Sequence, residues 1–202
     1  SGQISAEEAA RLKGLALPDK RGGLAVNLLL IFGAVAVAVA AIALVPNAAT
    51  GLTVALGAIA GAEVLRRLST GPVTGESFAL LAAALALMGT LGLAGWTAWQ
   101  FQDAPATAPA LLVTFVLAAG ALWYRSAFLA ALGVLALGAV FGTGTGYWHA
   151  SYGLFVEEPV ITLAVFGALA AGLYQLRAKL PEDWAGLTTV AARTGMILVH
   201  FA

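Results

Sequence analysis

Residues 110–142 read ALLVTFVLAAGALWYRSAFLAALGVLALGAVFG, with Arg125 the one charged side chain among them. As a single helix this stretch would reach about 50 Å at 1.5 Å per residue, far beyond a hydrocarbon core about 30 Å thick. Arg125-Ser126 is therefore expected to be a tight turn between two spans, Ala110–Tyr124 and Ala127–Gly142, with Trp123-Tyr124-Arg125 as an interface anchor. The turn decides the fold because it sets the parity of the crossings. Without it, Arg177 and Lys179 would fall on the opposite side from every earlier basic residue.

Outward from this turn the same alternation holds. Basic residues occupy the gaps at Arg11/Lys13/Lys20/Arg21, Arg66/Arg67, Arg125 and Arg177/Lys179, whereas Pro46-Asn47, Gln100–Pro109 and Thr143–Pro159 hold none. Lys and Arg flanking membrane spans stay cytoplasmic, and acidic residues count for little, so the amino terminus is expected in the cytoplasm. The remaining spans are expected at Leu24–Val45, Ala48–Leu65, Ser77–Trp99 and Val160–Leu176. A further apolar run begins near Thr188 and stops at Ala202 after about 22 Å, so more chain is expected beyond Ala202.

The expected fold class is all-α: a polytopic transmembrane helix bundle with six complete spans plus the start of a seventh. Residues 1–22 are expected to form a cytoplasmic N-terminal segment and residues 23–202 a transmembrane helical domain that continues beyond Ala202. Within the first segment, Ser5 followed by Glu8 is a capping-box signature, so Ile4–Gly14 is expected to be a short amphipathic helix.

Composition supports this solvent assignment. The 202 residues are 61% hydrophobic and 10% charged, against about a quarter charged in soluble domains. Net charge is zero and the basic residues are thinly spread, which excludes a nucleic-acid partner. Absence of cysteine excludes disulfides, thiolate metal sites and thiol catalysis.

Three groups of residues are candidates for chemistry. On the outer side, GTGTGYWHASYGLFVEEP (residues 142–159) gathers Tyr147, Trp148, His149, Glu157 and Glu158. One histidine and two carboxylates are suitable types for a metal or acid–base site but too few for a complete one, so no metal and no cofactor is expected. The aromatic residues there are expected to form an interface belt. Within the spans, Arg193, His200 and Asn27 are candidates for a ligand or ion pathway, because ionisable side chains at membrane depth usually face protein or water. At the end of the second span, Glu63 can pair with Arg66 or Arg67, three and four residues on. Gly57–Gly61 and Gly138–Gly142 have the Gly-x-x-x-Gly spacing that lets helix backbones approach closely.

The stretch Gly2-Gln3-Ile4-Ser5-Ala6-Glu7-Glu8-Ala9-Ala10-Arg11-Leu12, followed by a basic gap and a train of Ala/Leu-rich spans, resembles the domain-of-unknown-function 2157 family of bacterial membrane proteins. The resemblance implies a multi-pass protein of the cell inner membrane and carries over no catalytic residue. The expected function is that of a non-enzymatic membrane component acting through helix packing and partner contacts. Its partners would be the lipid bilayer and a protein partner or a second copy, met through Ile4–Gly14 and Thr143–Glu158. The alternative is a small-solute transporter or channel using Arg193, His200 and Asn27. An outer-face enzyme built on His149 with Glu157 or Glu158 ranks third.

Overall fold

The computed structural model describes residues 20–44, 46–69, 75–105, 107–148, 151–156 and 159–202. In chain order they form α1 (Lys20–Leu44), α2 (Ala48–Leu68), α3 (Gly75–Gln100), α4 (Thr107–Tyr124), α5 (Ala127–Val140), β1 (Thr143–Trp148), β2 (Ser151–Val156), α6 (Pro159–Arg177) and α7 (Glu182–Phe201). The helix expected at Ile4–Gly14 lies outside the described residues.

Local chemistry places the helix ends. Asn47 caps α2, its Oδ1 accepting from the Thr50 amide at 2.8 Å. The two-residue turn expected at Arg125-Ser126 is present: the Ser126 amide donates to Ala121 O at 3.0 Å, closing α4. Ser126 Oγ then accepts from the Leu129 amide at 3.3 Å, opening α5. So short a turn forces Arg125 to a φ of 51°, a left-handed conformation that costs a residue with a Cβ about 1–2 kcal/mol.

Four helical segments are long and apolar enough to cross a membrane: Ala48–Leu68, Phe78–Gln100, Thr107–Tyr124 and Pro159–Arg177. This marks a membrane protein, with four candidate spans by length and composition rather than six. The expected fifth span is shorter than anticipated, because α5 has 14 residues and reaches only about 21 Å. The run expected from Thr188 starts earlier, at Glu182, and its charged and imidazole side chains keep α7 out of the spanning class.

The segment between α5 and α6 is also more ordered than expected. β1 and β2 pair antiparallel, with Tyr147 opposite Tyr152 and Trp148 opposite Ser151. Gly142, at a φ of 77°, turns the chain out of α5 into this hairpin. The helical class therefore holds with one two-stranded addition.

Neighbouring helices pair and the pairs join into a row. α2 packs on α3, α4 on α5 and α6 on α7, while α3 against α4 and α5 against α7 link the pairs; α1 lies on α3 and touches α2. The α2–α3 pair packs backbone against backbone. A Cβ on Gly89 would lie 2.7 Å from Ile59 Cγ1 and 2.9 Å from Ala55 O, and one on Gly92 3.3 Å from Ala55 Cβ. The close approach is made by Gly89 and Gly92; of the Gly57–Gly61 pair, Gly61 meets Leu85 Cδ1 at 3.4 Å and Gly57 faces open space. Further along the row, Leu117, Ala121, Leu129, Ala130, Val134, Phe166, Ala191 and Leu198 form the core.

The outer surface is apolar. Leu29, Phe32, Phe115 and Val160 are each at least 70% exposed, a distribution that water would penalise and hydrocarbon would not. Inside, the buried polar side chains among the described residues are all threonines: Thr90, Thr97, Thr162, Thr188 and Thr194. Thr97 donates to Ala94 O at 2.7 Å and Thr194 to Val190 O at 2.9 Å, each satisfying its hydroxyl within its own helix.

Candidate functional site

Polar side chains concentrate where α2, α3, α4, α5 and α7 meet at one end of the row. The last turns of α2 carry Glu63, Arg66 and Arg67, and helical spacing brings both arginines onto the one carboxylate. Arg66 donates through Nε at 3.0 Å and through an Nη at 3.1 Å, and Arg67 through Nε at 2.9 Å. The pairing expected from sequence with one or other arginine is made with both.

Across from this cluster, the strained Arg125 turn sits beside the first turn of α7. The Arg125 guanidinium carbon lies 5.1 Å from the centroid of the Trp184 ring, within cation–π range. Between the two groups is a cavity of about 780 Å³. Arg66, Ser69, Tyr124, Arg125, Ser126 and Trp184 supply its polar lining. Deeper, Ala62, Ala79, Ala82, Ala83, Ala86, Leu87, Leu122 and Leu129 make an apolar throat. A volume in this range suits a small organic ligand.

A second cavity, about 530 Å³, lies between α1, α2 and α3 at the other end and is almost wholly apolar, bounded by Val39, Gly51, Ala55, Gly92, Trp96 and Trp99. The Trp96 ring packs on Gly51, where a Cβ would meet its Cδ1 at 3.8 Å. Its Nε1 is buried with no hydrogen-bond partner among the described residues.

The residues singled out from sequence fall elsewhere. Arg193 and His200 are both exposed on α7 and line neither cavity. At 100° per residue, they share one stripe of the helix with Glu182 and Thr189. Leu187, Ala191 and Leu198, all buried, occupy the other side. Asn27 falls early in α1, well separated in the chain from that stripe. Tyr147 and Trp148 end β1, whereas His149, Glu157 and Glu158 lie outside the described residues. Among the described residues, no group of three His, Cys, Asp or Glu side chains could hold a metal ion.

The cavity at the arginine end was not legible beforehand. Its one available signal was Trp184, an aromatic residue directly after Pro181-Glu182-Asp183, where a helix was not anticipated. Comparison with protein-family models, curated proteins and solved structures returns no match for this chain.

Proposed function

We propose that this protein is a non-enzymatic, multi-pass component of a bacterial inner membrane, acting through helix packing and contact with a partner. The observation that carries this reading is the polarity of α7. In a bundle surrounded by lipid, the outward side of a helix is expected to be apolar, yet Glu182, Arg193 and His200 are exposed on α7 beside Met196, Ile197 and Phe201, while Leu187, Ala191 and Leu198 are buried.

The depth of Arg193 makes this consequential. It lies eleven residues after Glu182, or about 17 Å along the axis. The neighbouring Gly195 packs against Phe166 and Ala170, midway along α6. A guanidinium near the middle of a span costs about 2.5–3.5 kcal/mol when the helix is inserted, and a facing carboxylate offsets that cost. A second copy packed symmetrically on the same stripe would bring Arg193 against Arg193. The partner that fits is therefore a different membrane helix carrying Asp or Glu at matching depth.

On this reading α1 and α5 also cross, giving six crossings before α7 enters the membrane as the start of a seventh, with the amino terminus in the cytoplasm. The 25 residues of α1 reach about 37 Å, and outside α7 the basic residues keep to alternate gaps between the apolar runs. The inner-membrane setting rests on this charge asymmetry and on the resemblance at Gly2–Leu12. A transport role is the second reading, favoured by the shared stripe of Arg193 and His200, which a partner could close into a polar seam.

The test is purification from native membranes in a mild detergent, comparing the parent chain with Arg193→Glu. The parent should elute as a larger assembly containing a second membrane protein, and the variant as a single chain. A parent that elutes alone overturns the reading, and self-association would reassign the face to a second copy. Solute flux into liposomes, lost in Arg193→Ala, would favour transport.

A further inference from the structure

We propose that the cavity at the arginine end is a binding site for an anionic phospholipid, its phosphate at the polar rim and its chain in the alanine throat. This inference uses none of the α7 stripe and stands apart from the partner reading.

Two features of the cavity point to an amphiphile. Its lining is divided: Arg66, Ser69, Tyr124, Arg125 and Ser126 offer guanidinium and hydroxyl donors at one end, and alanines from α2 and α3 leave a smooth apolar passage at the other. Arginine and hydroxyl groups are the donors that suit phosphate oxygens, whereas side chains no longer than a methyl group leave room for a hydrocarbon chain. The cavity is also open to the protein surface where lipid would lie, because Ala79, Ala83, Leu122 and Trp123 in its wall are exposed, Trp123 by 66%.

Charge selects the anionic class. At the rim, Arg66 and Arg125 both line the cavity, and among the described residues no carboxylate does, so the described lining is cationic. Glu182 does not offset it from α7, since at 100° per residue it lies almost opposite Trp184 on that helix. A basic pocket between helix ends at the membrane surface is a setting in which anionic headgroups are held.

The experiment strips the full chain of lipid in a non-ionic detergent and titrates it with phosphatidylglycerol, phosphatidylcholine or glycerol 3-phosphate, counting bound molecules by native mass spectrometry. One phosphatidylglycerol per chain is expected, held more tightly than phosphatidylcholine. Arg125→Gln should weaken it about fivefold, one basic side chain's share of the attraction, and Arg66→Gln should weaken it too, with both variants eluting as the parent does. Ala83→Leu, which narrows the throat, should weaken phosphatidylglycerol. Arg177→Gln, outside the cavity, should leave binding unchanged.

Equal retention of the two phospholipids overturns the proposal, as does an Arg177→Gln loss matching that of Arg125→Gln, which would mean diffuse surface attraction. Glycerol 3-phosphate binding as tightly as the phospholipid would show a free-phosphate site and overturn the role of the throat.

Discussion

Arg125 and Trp184, fifty-nine positions apart, meet as cation and ring at 5.1 Å. The contact ties the turn between α4 and α5 to the first turn of α7, so that a residue in a strained conformation is braced from a distant part of the chain. Trp184→Leu removes the ring face and is expected to cost about 0.5–1 kcal/mol, the usual value of a partly exposed cation–π pair. Unfolding in mixed micelles measures it, and Trp184→Phe should lose less than Trp184→Leu.

Gly89 and Gly57 make opposite predictions although both are span glycines. A Cβ at Gly89 would press on backbone atoms of Ile59 and Ala55, so Gly89→Ala should destabilise by about 1–3 kcal/mol, the range for overpacking. Gly57 has nothing within 4 Å, and Gly57→Ala should be neutral or gain up to about 1 kcal/mol from helix propensity. The same micelle titration reads both, and equal effects would contradict the helix pairing described above.

Trp96 has a buried indole N–H with no partner among the described residues. An unmade hydrogen bond of this kind costs about 1–3 kcal/mol, and Trp96→Phe removes the donor while keeping most of the ring. The variant is expected to be at least as stable as the parent by thermal unfolding. A clear loss of stability would mean that Nε1 is satisfied in the membrane.

Arg66 and Arg125 line one cavity and so occupy the same end of the row. The chain has no cysteine, so single cysteines at 66, 125 and 103 can be labelled one at a time. Positions 66 and 125 should react only from the cytoplasmic side, and position 103 only from the outside. Labelling of 66 and 125 from opposite sides would refute the arrangement.

Arg193→Leu separates stability from assembly. On the proposed reading of α7 as a membrane helix, removing its guanidinium should favour insertion by about 2.5–3.5 kcal/mol, while the larger assembly expected of the parent is lost. A variant that is more stable and still assembled would show that Arg193 does not hold the partner.

That the chain is a train of apolar helices was legible in the sequence, since it follows from local chemistry. A backbone in lipid must satisfy its own hydrogen bonds, so long apolar runs become helices. Pro46-Asn47, Arg125-Ser126 and Pro159 mark where they break, and the observed ends fall within a few residues of those marks. The β-hairpin was hidden because its glycine-rich strands flank His149-Ala150, which is no standard two-residue turn signal. The start of α7 was hidden because Glu182-Asp183 reads as loop.

Only the tertiary structure decided which small residues meet, that Gly89 rather than Gly57 sits against the facing backbone, and that Trp184 completes the wall beside Arg125. Lipid is as apolar as the helices themselves, so no hydrophobic drive chooses among many alanine and glycine faces. That choice depends on shape matching between segments far apart in the chain, which no stretch of residues displays by itself.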